Sequence, residues 1–84
     1  MGSCFTYLLY SVKLGKDYVG STQDVISRLN YHNNGNVKFT SRGIPWILVW
    51  SQQYMTRAEA VQLENKIKKR GAKRYLTDLG LLER

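Results

Sequence analysis

Residues 4–21, CFTYLLYSVKLGKDYVGS, decide the fold. Residues 4–13 are rich in aromatic and branched side chains, and both alternating sets are largely apolar. That pattern predicts a strand covered on both faces. Leu14-Gly15-Lys16 supplies a turn and residues 17–21 (DYVGS) read as a short returning strand, so the segment is a hairpin. A two-residue Leu14-Gly15 loop would set Tyr18 opposite Ser11, on the same face as Tyr7 but about 13 Å farther along. A twist, a bulge or a longer loop is then needed to bring the two hydroxyls together.

The rest of the chain dresses this hairpin with helices and one more strand. Ser21 or Thr22 is the expected cap of a helix running to about Asn33, with Asp24 in its first turn. Asn33-Asn34-Gly35-Asn36 ends it. Residues 37–45 (VKFTSRGIP) form a loop carrying Lys38 and Arg42, and residues 46–54 (WILVWSQQY) a third strand. Thr56 and Glu59 make a capping box for a helix over residues 56–70, which Gly71 closes. Residues 72–82 read as a short third helix with Tyr75, Leu76 and Leu79 on its apolar side. The predicted order is β-β-α-β-α-α. It describes one α/β domain of the α+β kind over residues 1–84, a three-stranded sheet flanked by helices.

Composition narrows the function classes. Eighty-four residues build one small core. A lone cysteine, Cys4, allows no internal disulfide, and with a single histidine there is no zinc constellation. Both suit a reducing compartment, so a cytoplasmic location is expected. No apolar run approaches the roughly 18 residues of a membrane span, so no membrane partner is expected. Thirteen Lys and Arg against six Asp and Glu leave a net charge of +7. Such an excess on a small domain favours a polyanion, nucleic acid first.

One carboxylate breaks the pattern. At about 100° per residue, Ala60, Val61, Leu63 and Ile67 form an apolar arc, and Glu64 falls inside it. Glu59, Gln62, Lys66 and Lys69 take the opposite face. Glu64 must pair with a cation, ligate a metal or face a polar cleft, unless it reaches water past the small Ala60. Arg28 and His32 stand one turn apart on the first helix and project from one face. His32 aligns with Val25 and Leu29, where a core histidine bonded to backbone would also sit. Tyr7 and Tyr18 lie in strands, where tyrosines commonly pack.

Together these residues resemble the GIY-YIG endonuclease superfamily, closest to its small stand-alone bacterial members. The first motif corresponds to Phe5-Thr6-Tyr7, the second to Tyr18-Val19-Gly20, the arginine helix to residues 21–33 and the metal-binding helix to residues 59–68. The resemblance implies a divalent-metal-dependent endonuclease that hydrolyses phosphodiester bonds in DNA, including branched or nicked forms, in repair or recombination. Glu64 would hold one Mg²⁺ or Mn²⁺, and Arg28 would clamp the non-bridging phosphate oxygens. Tyr7 would help deprotonate the attacking water, with Tyr18 and His32 positioning groups and shuttling protons. A free tyrosine titrates near pH 10, so Tyr7 needs a nearby cation to act as a base. Lys38, Arg42, Arg57, Lys68, Lys69, Arg70, Lys73 and Arg74 form the expected DNA-contacting set. Two features depart from the family: Phe5-Thr6 replaces Gly-Ile, and the asparagine that many members carry beyond the glutamate has no counterpart except adjacent Asn65. A non-catalytic nucleic-acid-binding module and an interaction subunit of a larger repair nuclease complex remain the alternatives.

Overall fold

A computed structural model describes residues 3–80. Strands β1 (Cys4–Ser11) and β2 (Lys16–Thr22) lead into helix α1 (Val25–Asn33), and a 3-10 turn at Ser41–Gly43 precedes β3 (Trp46–Tyr54). Helices α2 (Arg57–Arg70) and α3 (Ala72–Asp78) follow. The element order is the one the sequence predicts. The sheet is antiparallel in the order β2-β1-β3, so β1 is central and buried on both faces.

Alternation along β1 divides the molecule into two cores. Leu8 points to one side and packs with Val19, Ile67 and Leu76 beneath α2 and α3. Tyr7 and Leu9 point to the other and meet Trp46, Tyr18, Val25 and Leu29 beneath α1. A bulge in β3 serves both layers: Leu8 pairs with Trp50 but Leu9 with Leu48, leaving Val49 as the extra residue. Trp46 and Leu48 therefore join the α1 core while Trp50 joins the α2 core. Thr6, in the place of the motif isoleucine, is buried and donates its hydroxyl to the Ala60 carbonyl at 2.7 Å, fastening α2 to β1.

Three local expectations change. Ser11 pairs with Lys16, so residues 12–15 make a four-residue turn rather than a two-residue one. The Gly15 N–H donates to the Ser11 carbonyl at 2.7 Å, the Leu14 N–H donates to the Ser11 hydroxyl at 3.1 Å, and Gly15 adopts φ +64°, a region that favours glycine. Tyr18 consequently opposes Leu9 and Tyr7 faces Gly20, which halves the expected separation along the strand. The cap of α1 is Asp24, whose carboxylate accepts from the Ser27 N–H at 3.1 Å. Ser21 and Thr22 are not free to cap it because β2 runs through Thr22. Helix α3 ends at Asp78, and positions 81 and 82 of the expected helix lie outside the described residues. The Thr56–Glu59 capping box and the Gly71 stop form as predicted. Among the described residues, no helix is long and apolar enough to cross a membrane.

Candidate functional site

The α1 face carries a chain of hydrogen bonds that starts at Tyr7. Its hydroxyl lies 3.2 Å from His32 Nε2, and His32 Nδ1 lies 2.8 Å from the Thr40 hydroxyl. Thr40 donates that hydroxyl to the Val37 carbonyl at 3.3 Å, so it accepts from Nδ1–H. A neutral imidazole protonated at Nδ1 leaves Nε2 as an acceptor, and the Tyr7 O–H donates to it. His32 is only 1% exposed, and burial, helped by Arg28, lowers its pKa and keeps it neutral near pH 7. Burial also raises the Tyr7 phenol above its ordinary value; Tyr18 and Glu64 add to the rise while Arg28 opposes it. Tyr7 is therefore a neutral donor. The cation that would lower its pKa is present in Arg28, but burial outweighs it.

Gly20 makes room for this phenol. A Cβ at Gly20 would lie 2.7 Å from the Tyr7 hydroxyl oxygen and 2.9 Å from the ring carbon that carries it. Gly20→Ala is expected to push Tyr7 off His32, lowering stability by about 1–3 kcal/mol, as overpacking does. Urea unfolding measures that loss, and unchanged stability would show that the ring has room to yield.

Glu64 approaches from the other layer. Ser21, next to Gly20, points toward α2 and donates its hydroxyl to Glu64 Oε1. Lys68, one turn along α2, places its ammonium 2.8 Å from Oε2. Glu64 is 18% and Lys68 53% exposed at the side chain, so this is a surface pair on a half-buried acid. Because β2 is an edge strand, the site folds around its end, with Tyr7 and His32 on one side and Ser21 and Glu64 on the other. Arg28 stands at the rim with its guanidinium 5.2 Å from the centre of the Tyr31 ring. It lines an open cavity of about 520 Å³ together with Ser21, Tyr31 and Arg57, from the first turn of α2.

Tyr7, Tyr18 and His32 form one aromatic cluster, with Tyr18 edge-on to His32 at 4.8 Å between centroids and both 6.3 Å from Tyr7. Lys38 and Arg42 are exposed on the loop that reaches Tyr18 through Phe39. The other expected DNA contacts are less concentrated. Lys68 is engaged by Glu64, and Arg70 makes a two-pronged bond to Asp78 at 2.9 and 3.1 Å. Burial raises the pKa of Asp17, and nearby Lys73 partly opposes the rise. Lys73 stands at the hairpin end of the molecule, and Lys69 is exposed on α2. Asn65 is exposed too and does not substitute for the missing asparagine.

Ser21 and Thr40 were not marked as site residues by the sequence. Strand alternation places Ser21 on the same face as Val19, a polar group at the end of an apolar row, and that signal was readable. Thr40 had none, since it lies in an irregular loop eight residues after its histidine partner.

The carboxylate chemistry limits what could be held here. Among the described residues, no group of three or more His, Cys, Asp or Glu side chains comes together. A single carboxylate flanked by a hydroxyl and an exposed, displaceable ammonium still fits Mg²⁺, which keeps several waters and takes its remaining ligands from substrate phosphate.

Comparison with known proteins agrees with this fold. The family described as the GIY-YIG catalytic domain matches residues 3–76. A UPF0213 protein of Staphylococcus epidermidis is 38% identical over 65 residues, covering 74% of this chain and 79% of that protein. One from Staphylococcus aureus is 36% identical over 66 residues, covering 75% and 80%. The solution NMR structure of a UPF0213 protein from Bacillus halodurans superposes with a TM-score of 0.56 at 31% identity, covering 92% of this chain and 84% of that one. A match that spans residues 3–76, nearly the whole chain, places it in the GIY-YIG catalytic-domain family, a nuclease superfamily.

Proposed function

We propose that this chain is a divalent-metal-dependent endonuclease that hydrolyses phosphodiester bonds in DNA, branched or nicked forms included. The observation that carries the reading is the Tyr7–His32–Thr40 hydrogen-bond chain beside Arg28 and Glu64. Glu64 would hold Mg²⁺ or Mn²⁺, which when bound supplies stabilisation of charge developing on phosphate oxygens. Arg28 adds a planar fork for the non-bridging oxygens, and stacking on Tyr31 limits its orientations. Tyr7 relays a proton: its oxygen accepts one from the attacking water as its own passes to His32 Nε2. Arg28 disfavours a charged His32 in the free protein. Once a phosphate neutralises Arg28, that opposition falls. Thr40 holds the imidazole in the tautomer that can receive the proton.

Incubation with duplex, single-stranded and branched DNA in Mg²⁺, Mn²⁺ or EDTA tests the reading. Metal-dependent cleavage of any of these supports it, and binding without cleavage in any metal returns the chain to a nucleic-acid-binding module. The Glu64–Lys68 pair is the observation that favours that second reading, because it gives the carboxylate a partner without a metal.

Two further outcomes follow from the charges. Arg28→Lys keeps the charge but loses the fork, so cleavage is expected to fall about tenfold or more while DNA affinity changes little. Equal activity would return Arg28 to a solvated surface cation. Affinity for duplex DNA is expected to fall with salt by roughly 0.9 log units per log unit of salt for each phosphate contacted. An affinity flat between low and moderate salt would remove nucleic acid as the partner.

A further inference from the structure

Phe39 is 83% exposed, yet it stands on backbone fixed at neighbouring points. The next residue, Thr40, is buried: its carbonyl accepts from the Trp46 indole N–H at 2.7 Å and its hydroxyl holds His32. The Thr40 N–H donates to the Val37 carbonyl at 3.1 Å, and the Ser41 hydroxyl donates to the Lys38 carbonyl at 2.9 Å. A large apolar ring is therefore presented to water by a pinned loop. Its centroid lies 6.4 Å from that of Tyr18, which puts the ring beside the aromatic cluster of the site. Residues 37–45 contain two cations, Lys38 and Arg42, both exposed, and no acid.

We propose that Phe39 is a stacking platform for an unpaired nucleobase next to the cleaved phosphate, with Lys38 and Arg42 contacting the flanking phosphates. The position of that phosphate rests on the nuclease reading above. An aromatic face beside cations is the usual means of holding single-stranded nucleic acid, because every base offers a π-face once it leaves the stack. A base inside a continuous duplex has both faces occupied. The platform therefore selects DNA with an unpaired nucleotide at the point of attack: a single strand, a flap or a branch. A hydrophobic protein contact would not need cations before and after the aromatic residue in the chain, and the acid-free loop of a +7 chain matches a polyanion.

The test is equilibrium binding in EDTA, with the full chain, to a single-stranded oligonucleotide carrying one 2-aminopurine and to a blunt duplex of the same sequence. Phe39→Ala and Phe39→Leu are expected to weaken single-strand binding by roughly 5- to 100-fold while leaving duplex binding within about twofold. Phe39→Trp restores single-strand affinity, and only the wild type and this variant change the 2-aminopurine fluorescence. Equal single-strand affinity in all four proteins, an equal loss on both DNAs, or no binding to either overturns the proposal. So does unaltered DNA binding combined with Phe39-dependent sedimentation on phosphatidylserine–phosphatidylcholine vesicles. No chemistry occurs in EDTA, so the two readings fail separately. Cleavage in Mn²⁺ without a Phe39 effect sinks only the platform, and a Phe39 effect without cleavage sinks only the nuclease.

Discussion

Glu64→Gln is expected to cut metal-dependent cleavage by at least about a hundredfold and to leave the protein folded with nearly wild-type stability. Glutamine keeps the shape and a carbonyl oxygen, so the Ser21 hydroxyl retains an acceptor. Its amide has no negative charge with which to hold a divalent cation. The stability half of the argument rests on exposure. Removing one partner of a buried ion pair costs several kcal/mol, because a charge is left without water. Lys68 is more than half exposed and simply returns to solvent, so the change in urea unfolding free energy in EDTA should stay within about 1 kcal/mol. A loss well beyond 2 kcal/mol would mean that the carboxylate is kept as a structural partner. Full cleavage by the variant in Mn²⁺ would end its assignment as metal ligand.

Tyr7→Phe separates the relay from the scaffold. The ring still fills the space over Gly20 and beside Leu9 and Trp46, so packing is retained. The hydroxyl that would take a proton from water is gone, and cleavage is expected to fall by roughly 10²- to 10⁴-fold. His32 Nε2 is left buried without its donor, at a cost of about 1–3 kcal/mol in unfolding free energy. The two readouts need not move together. A variant that loses that stability yet cleaves at the wild-type rate would show that the Tyr7–His32 bond only organises the α1 core.

What the sequence revealed was local, and what it concealed was mostly tertiary. The hairpin, the capping box and the element order are written in neighbouring residues. Leu14-Gly15 suffices for a two-residue turn by sequence, whereas Ser11 supplies both its carbonyl and its hydroxyl to a turn two residues longer. Period-two alternation also fails in β3, since Val49 shifts Trp50 to the opposite layer from Leu48. Glu64 shows the boundary well. Helical periodicity flags a carboxylate that needs a polar partner, and of the candidate cations Arg28 and Lys68 the structure pairs it with Lys68. Ser21 comes from a strand 43 residues earlier and could be found only once β2 lay against α2. The same holds for His32, whose place on the core stripe announced burial while its partners, Tyr7 and Thr40, lie in another element and in a loop.

The edge strand β2 contributes one contact to each half of the site. Gly20 faces Tyr7 in one layer, and its neighbour Ser21 holds Glu64 in the other. Two adjacent residues thus act as a rivet through the thickness of the molecule, and β2 is zipped to the rest of the sheet along one margin only. Opening at the Thr22 end of that seam would pull both halves apart in a single event, while Leu8, Ile67 and Leu76 remained packed. The working lifetime of such a site is set by the fraying of one seam and can run out long before the domain itself comes undone.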